Sequence, residues 1–293
     1  MRFGPSQLAA LSAVIRLGSF EHAARDLHVT PPAISQRIKA LEERIGASLI
    51  QRGTPCTATD AGARLAKHAE DIGLLEAQVT RDLALDTDPG QARMAIAVNA
   101  DSLATWVIPA LAEVSAMMFD LVIDDQDHSA DWLRRGAVSA AITSADTAAP
   151  GCDRVALGAL RYVATASPAF VETWFANGVT AQSLSQAPCL TFNAKDRLQS
   201  VWIHRLTGRR IAPPTHFLAS SHGFVDATRL GLGWGMNPEV MVRPLIDQGD
   251  LVALSPLKLE TALDWQVSRV MASALAPLTR AIRTAARDVL IQP

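Results

Sequence analysis

The segment HVTPPAISQRIKALEERIGASLIQR, His28 to Arg52, constrains this chain more than any other. Two consecutive prolines cannot sit inside a helix, since each lacks an N–H and its ring collides with the preceding turn. At a helix start they are harmless, because the first N–H groups have no intrahelical partner. Thr30 stands at the N-cap position, so Pro31 and Pro32 read as a start signal for a helix that runs to about Ile45 and stops at Gly46. Ala33, Ile34, Ile38, Leu41 and Ile45 recur at three- and four-residue steps and form its inner face. Ser35, Gln36 and Lys39 lie opposite, with Arg37 at the flank.

Two further helices precede it. Leu8, Leu11, Val14 and Ile15 mark one from Pro5 to Arg16, ended by Gly18. Ser19 caps a second, Phe20 to Leu27, whose small Ala23 and Ala24 let a neighbouring helix come close. A short turn, His28-Val29, then leads into the proline-led helix, which makes a helix-turn-helix. After Gly46, Leu49 to Arg52 and Thr57 to Thr59 read as two strands about a Gly53-Thr54-Pro55 turn, a wing with Arg52 placed to reach phosphate or a minor groove. Such a basic, amide-bearing helix suits the DNA major groove, where Gln and Ser read base edges and Lys or Arg holds phosphate. A three-helix packing unit with a solvated polar face is the alternative.

Charge favours the first reading. Residues 1–59 hold seven Lys and Arg against four Asp and Glu, a net of +3, which leaves twenty basic and 25 acidic residues in the rest, a net of −5. A basic head on an acidic body predicts that the head alone meets a polyanion. Hydrophobic residues make up 49% and charged residues 19% of 293, as expected of a globular chain of two or three units. No signal peptide and no run long enough to span a membrane are recognisable, and three well-separated cysteines without a CxxC pair read as free thiols in a reducing cytoplasm.

The run FEHAARDLHVTPPAISQRIKALEERIGASLIQR closely resembles the winged helix-turn-helix of LysR-type transcriptional regulators: paired alanines, an aliphatic-Thr turn, Pro-Ala-aliphatic-Ser, a Leu-Glu pair and a terminal aliphatic-x-Arg. The resemblance implies that Thr30, Pro31, Pro32, Ser35, Gln36, Lys39 and Arg52, with Arg37 beside them, contact DNA.

Thr59 to Leu85 contains no proline, and Leu65, Ala69, Ile72, Leu75, Val79 and Leu83 keep a helical period. A helix of some 26 residues would be roughly 39 Å long, and its apolar stripe wants a partner, either its own chain or a second copy. The family resemblance favours the second copy: a homodimer through this linker, able to assemble further to a tetramer. Asp86 to Gly90 then reads as a hinge.

From Ala92 onward strand-like and helix-like segments alternate, which predicts parallel sheets with helices on both faces. The expected fold class is therefore α/β: a winged helix-turn-helix over 1–58, a linker helix over 59–86, and an alternating body over 92–293, which the resemblance implies is a two-subdomain Rossmann-like effector domain of periplasmic-binding-protein type. By the resemblance, subdomain I comprises 92–160 and 265–293, subdomain II 161–264, with a cleft between them.

Open α/β folds bind ligands beyond strand ends and at helix N-termini. One such place is VNADSLATW, where Asn99 to Asp101 end a strand and Ser102 opens a helix, so that backbone N–H groups and the Ser102 hydroxyl could hold a carboxylate; another is IDDQDHS, where Asp124, Asp125 and Asp127 would welcome a cation. Thr143 with Ser144, Phe192 with Asn193, and Ser221 beside Ser220 and His222 are further polar candidates. A carboxylate holder near a knot of carboxylates suits an amino acid, above all a basic one. AVNADSLATWVIPAL and FANGVT also look like the ArgP/IciA branch, which senses lysine and arginine and controls basic amino acid export. Trp234 and Met236 in SSHGFVDATRLGLGWGMNPE depart from that branch.

Other signals fail. GLGWG is followed by Met-Asn-Pro and not a helix start, so a strand beside a tight turn is expected. No HExxH or HxxxH spacing supports a metal, and SSHG lacks the GxSxG elbow of a serine hydrolase. The sequence predicts a cytoplasmic regulator without enzyme activity, cofactor or metal, whose partners are double-stranded promoter DNA, a small effector and a second copy of itself. An architectural or replication-control protein without an effector is the alternative.

Overall fold

The structure, a computed structural model, describes residues 3–83, 92–115, 117–124 and 129–292. In the head, α1 (Pro5–Leu17), α2 (Phe20–Asp26) and α3 (Pro31–Ile45) pack on one another, and β1 (Ile50–Gln51) pairs antiparallel with β2 (Thr57–Ala58) as the wing. The sequence signals act as expected at most ends. Gly18 and Gly46 close α1 and α3 in the left-handed conformation, and the Ser19 hydroxyl accepts from His22 N at 3.3 Å. Thr30 occupies the N-cap of α3 with extended backbone, but its hydroxyl makes no capping bond. Leu11, Val14, Ala23, Ala24, Ile34 and Leu41 form the centre of the head core, all at most 1% exposed.

The linker helix α4 (Asp60–Asp82) differs from a single stripe awaiting a partner. Leu65 is buried in the head core with Ala69 and Ile72 against it, whereas Leu74 and Leu75 join the core of the body. Only Val79 and Leu83, 55% and 63% exposed, face outward as the stripe reading requires. The helix reaches the head closely because Gly62 lacks a Cβ, which would stand 1.9 Å from Leu49 O. The expected hinge at 86–90 lies outside the described residues.

The body runs β3 (Ala92–Val98), α5 (Ala100–Ser102), five π-helical residues Leu103–Val107, α6 (Ile108–Ala112), β4 (Met117–Ile123), α7 (Ser129–Arg134), β5 (Ala140–Thr143) and β6 (Cys152–Ala166). It continues through α8 (Pro168–Trp174), α9 (Ala181–Gln186), β7 (Cys189–Thr191), α10 (Leu198–Thr207), β8 (Thr215–Phe217), α11 (Ser221–Arg229), β9 (Gly235–Pro238), α12 (Glu239–Asp247), β10 (Val252–Ser268) and α13 (Ala276–Val289). The main sheet has the order β4-β3-β5-β10-β6-β9, and β7 pairs with β8 separately. The expected parallel pairing holds for β3 with β4, β3 with β5 and β7 with β8, but β10 is antiparallel to β5 and β6, and so is β9 to β6. The sheet is mixed because the chain crosses the body twice, once each way, on two strands of 15 and 17 residues that pair with each other. Their register shifts near Gly158, whose φ of 119° and missing Cβ leave room for Ile291 O. GLGWG precedes a strand, β9, as expected, with Gly231 as the turn at φ 79°.

Candidate functional site

The head presents one polar surface. Thr30, Pro31, Pro32, Ser35, Gln36, Lys39 and Arg52 are all exposed, and Arg37 is half-buried at the flank of α3. This follows from the 3.6-residue period: Ile34, Ile38 and Leu41 go into the core, so the residues a half-turn away must face out. Lys39 Nζ lies 3.8 Å from Glu43 Oε1, an exposed pair worth little in water and easily given up to a phosphate. The wing is tied to α2 by a contact the sequence does not display. The Arg52 guanidinium sits 5.7 Å from the Phe20 ring centroid, which holds the wing cation beside the helix-turn-helix.

In the body, the ends of β3 and β4, the first turn of α11, β9 and the loop before α10 converge on a cleft. Of the sequence candidates, Asn99, Asp101, Asp124, Phe192 and Ser221 line it. Asp125 lies outside the described residues. Ser102 and Thr143 do not line the cleft: both are fully buried, and the Thr143 hydroxyl accepts from Gln266 Nε2 at 3.0 Å. The reason is local packing. All of β5 lies buried between β3 and β10, so its last residue points into the core, and the first turn after β3 buries Ser102 while leaving Asp101 outward.

Asp101 is held by two donors from distant parts of the chain, Tyr162 Oη at 2.8 Å and Ser221 Oγ at 2.7 Å. Asp124 accepts from Trp132 Nε1 at 2.9 Å, and Lys195 Nζ stands 3.7 Å from its other oxygen at the rim. A third carboxylate, Asp196, shapes the loop before α10 by accepting from Phe192 N and Leu198 N at 3.0 Å each. Asn237 is fully buried; its Nδ2 donates to Thr165 and Thr228, and its Oδ1 has no hydrogen-bond partner among the described residues. The lining thus offers three carboxylates and an amide carbonyl, and neither Lys nor Arg is among its described residues. Such a wall accepts hydrogen bonds and attracts a cation. The cavity amounts to about 50 Å³, room for roughly three to five waters at 10–15 Å³ each, so admitting an amino acid requires the walls to part.

Sequence reasoning missed Tyr162, Asp196, Asn237 and Trp132. None belongs to a recognisable motif; strand register and loop geometry bring the first three to the cleft, and helix placement sets Trp132 behind Asp124. Among the described residues no group of His, Cys, Asp or Glu could hold a metal ion, and no helix is long and apolar enough to cross a membrane.

Comparison with known proteins matches both parts of the chain. Residues 5–63 match the bacterial regulatory helix-turn-helix protein, lysR family, and residues 88–290 match the LysR substrate binding domain. The HTH-type transcriptional regulator LysG of Mycobacterium tuberculosis is 41% identical over 283 residues, 97% of this chain and 93% of that protein. The crystal structure of ArgP from Mycobacterium tuberculosis superposes with a TM-score of 0.81 at 40% identity, covering 100% of both chains. Full-length LysG from Corynebacterium glutamicum with bound effector Arg does so with a TM-score of 0.67 at 35% identity, over 99% of this chain and 100% of that one. A basic winged head, a linker helix and a mixed-sheet body with a polar cleft, matched end to end by these proteins, place the chain in the LysR family of bacterial helix-turn-helix transcriptional regulators.

Proposed function

We propose that this chain is a cytoplasmic, effector-controlled transcriptional regulator, and not an enzyme, whose effector is a basic amino acid, L-lysine or L-arginine. The observation that carries this reading is the cleft wall: Asp101, Asp124 and Asp196 with Asn237 Oδ1, and no cationic side chain among the described lining residues. A ligand with two positive centres and one carboxylate fits such a wall better than a neutral or acidic one. The similar LysG that binds Arg supports the same choice. The genes controlled would serve export or metabolism of basic amino acids, as the names of relatives such as the lysine export regulatory protein LysG of Corynebacterium efficiens suggest.

In this reading Ser35, Gln36, Arg37 and Lys39 enter the major groove, Thr30, Pro31 and Pro32 set the start of α3 against the backbone, and Arg52 reaches phosphate from the wing. The exposed Val79 of α4 and Leu83 just after it favour pairing with a second copy. The two halves of the body, 92–160 with 265–293 and 161–264, would close on the effector. Closure would change how paired heads sit on promoter DNA and so the bend they impose.

A thermal-shift screen against the twenty amino acids at millimolar concentration tests the effector. A ligand at 100 times its Kd adds about 2.7 kcal/mol to folded stability, so a rise in Tm with lysine or arginine alone is the expected result. No shift with either overturns the effector reading.

A further inference from the structure

Between the head and the cleft lies a buried polar contact that neither site uses. Lys67, on α4, is 8% exposed, and its Nζ donates to Ser139 Oγ at 2.6 Å while pairing with Asp71 one turn further along the same helix. Ser139 Oγ in turn donates to Asp71 Oδ1 at 3.1 Å, so the three side chains close a ring. Two belong to the linker helix and one to the body. Ser139 is itself 1% exposed and woven into the sheet: its N–H donates to Ala95 O on β3, and its carbonyl accepts from Ser268 N at the end of β10. From Ala95, β3 runs straight to Asn99 on the cleft, a span of four residues or roughly 13 Å at 3.3 Å per residue, and Asp101 follows in the next helical turn.

We propose that Lys67, through Ser139, is the positioning residue by which a change at the cleft is passed to the linker helix and so to the DNA-binding head. The proposal rests on the effector reading above. Glu70 of the same helix also faces charges of the body, Arg93 of β3 and Asp120 of β4, and the remaining contacts between α4 and the body are looser. Leu74 and Leu75 pack in its core, and apolar packing is non-directional, so a helix can slide on it. Gln78 bonds Ser273 at the exposed surface. A buried ammonium is neither of these. If α4 slides off Ser139, the ammonium keeps Asp71 on its own helix but loses its one acceptor in the body, and the buried Ser139 hydroxyl is left without a partner; that cost makes α4 follow Ser139 when β3 and β5 move. Coupling of two sites needs an element biased by both, and this ring joins the strand that ends in the cleft to the helix that carries the head.

The test uses the full chain and a promoter fragment selected by the purified protein from random DNA. Lys67→Met removes the ammonium at similar length. Ser139→Ala is milder: it keeps the Lys67–Asp71 pair and cuts only the link to the body. Arginine affinity is measured by calorimetry, and DNA affinity with and without arginine. Both variants are expected to bind arginine and unliganded DNA within about twofold of wild type, while the arginine-induced change in DNA affinity, typically ~5–150-fold for coupled sites, collapses to under about twofold. A response in Ser139→Ala equal to wild type overturns the proposal, and so does a loss of DNA binding in both variants, which would make the ring merely structural. Should wild type bind no amino acid, the effector reading fails instead, and hydrogen exchange decides the coupling. DNA binding must then alter protection of the 139–143 amides in wild type but not in Ser139→Ala; equal changes in both overturn it.

Discussion

Asp101 Oδ1 accepts a hydrogen bond from Ser221 Oγ at 2.7 Å although 120 positions separate the two residues. The bond ties α5, which follows β3, to the first turn of α11 and draws the two walls of the cleft together. Ser221→Ala removes this tie but leaves the Tyr162 bond to Asp101 intact. Arginine association measured by stopped-flow is expected to quicken in the variant, since the walls must part to admit it. An unchanged rate would mean that the cleft opens elsewhere.

Asp124→Asn preserves the acceptor for the Trp132 indole and removes only the charge. Loss of a charge-assisted hydrogen bond is worth about 1.5–3 kcal/mol, so affinity for lysine and arginine should fall roughly 10- to 100-fold by calorimetry, with DNA affinity unaltered. Wild-type affinity in the variant would remove Asp124 from the ligand site.

On the head, Gln36→Ala is expected to relax preference at a single base pair by about 1–3 kcal/mol. Competition between matched and singly mismatched fragments reads this directly. A uniform loss across all sequences would identify Gln36 as a phosphate contact.

Gly62→Ala would drive a Cβ to 1.9 Å from Leu49 O where α4 crosses the wing strand. Backbone cannot yield as a flexible side chain does, and overpacking of this kind costs about 3 kcal/mol. The variant should melt several degrees lower; an unchanged Tm would show that α4 can shift away from the head without loss.

Glu70 supplies a pH prediction. It faces Lys67 and Asp71 from its own helix, Arg93 from β3 and Asp120 from β4, and burial is the largest influence, raising its carboxyl to about 7. The folded chain therefore binds this proton more tightly than the unfolded chain does. Stability falls as pH rises from the ordinary carboxylate range through about 7, and the penalty is complete above that. Glu70→Gln is expected to add stability at pH 8, on the order of 1 kcal/mol because water screens the exposed part of the group, read as a higher Tm, and to change little at pH 5. A larger gain at pH 5 than at pH 8 would contradict it.

The head was legible in the sequence because its information is local. Pro31 and Pro32 can only open a helix, Gly46 can only close one cheaply, and the spacing of Ile34, Ile38 and Leu41 then dictates that Ser35, Gln36 and Lys39 face out. Local spacing also showed the strand ends after which Asn99, Asp101 and Asp124 stand on the cleft. It could not tell Asp101 from its neighbour Ser102, because a one-residue step on the first helical turn separates the cleft from the core. Nor could it tell that Thr143 would be spent on Gln266, a partner 123 positions away. The long antiparallel pair of β6 and β10, the arrival of Tyr162 and Asn237 at the cleft, and the Lys67–Ser139 contact are likewise properties of register and packing between distant segments. Periodicity records which way a side chain points from its own backbone; what it meets there is decided only when segments a hundred residues apart are stacked against each other.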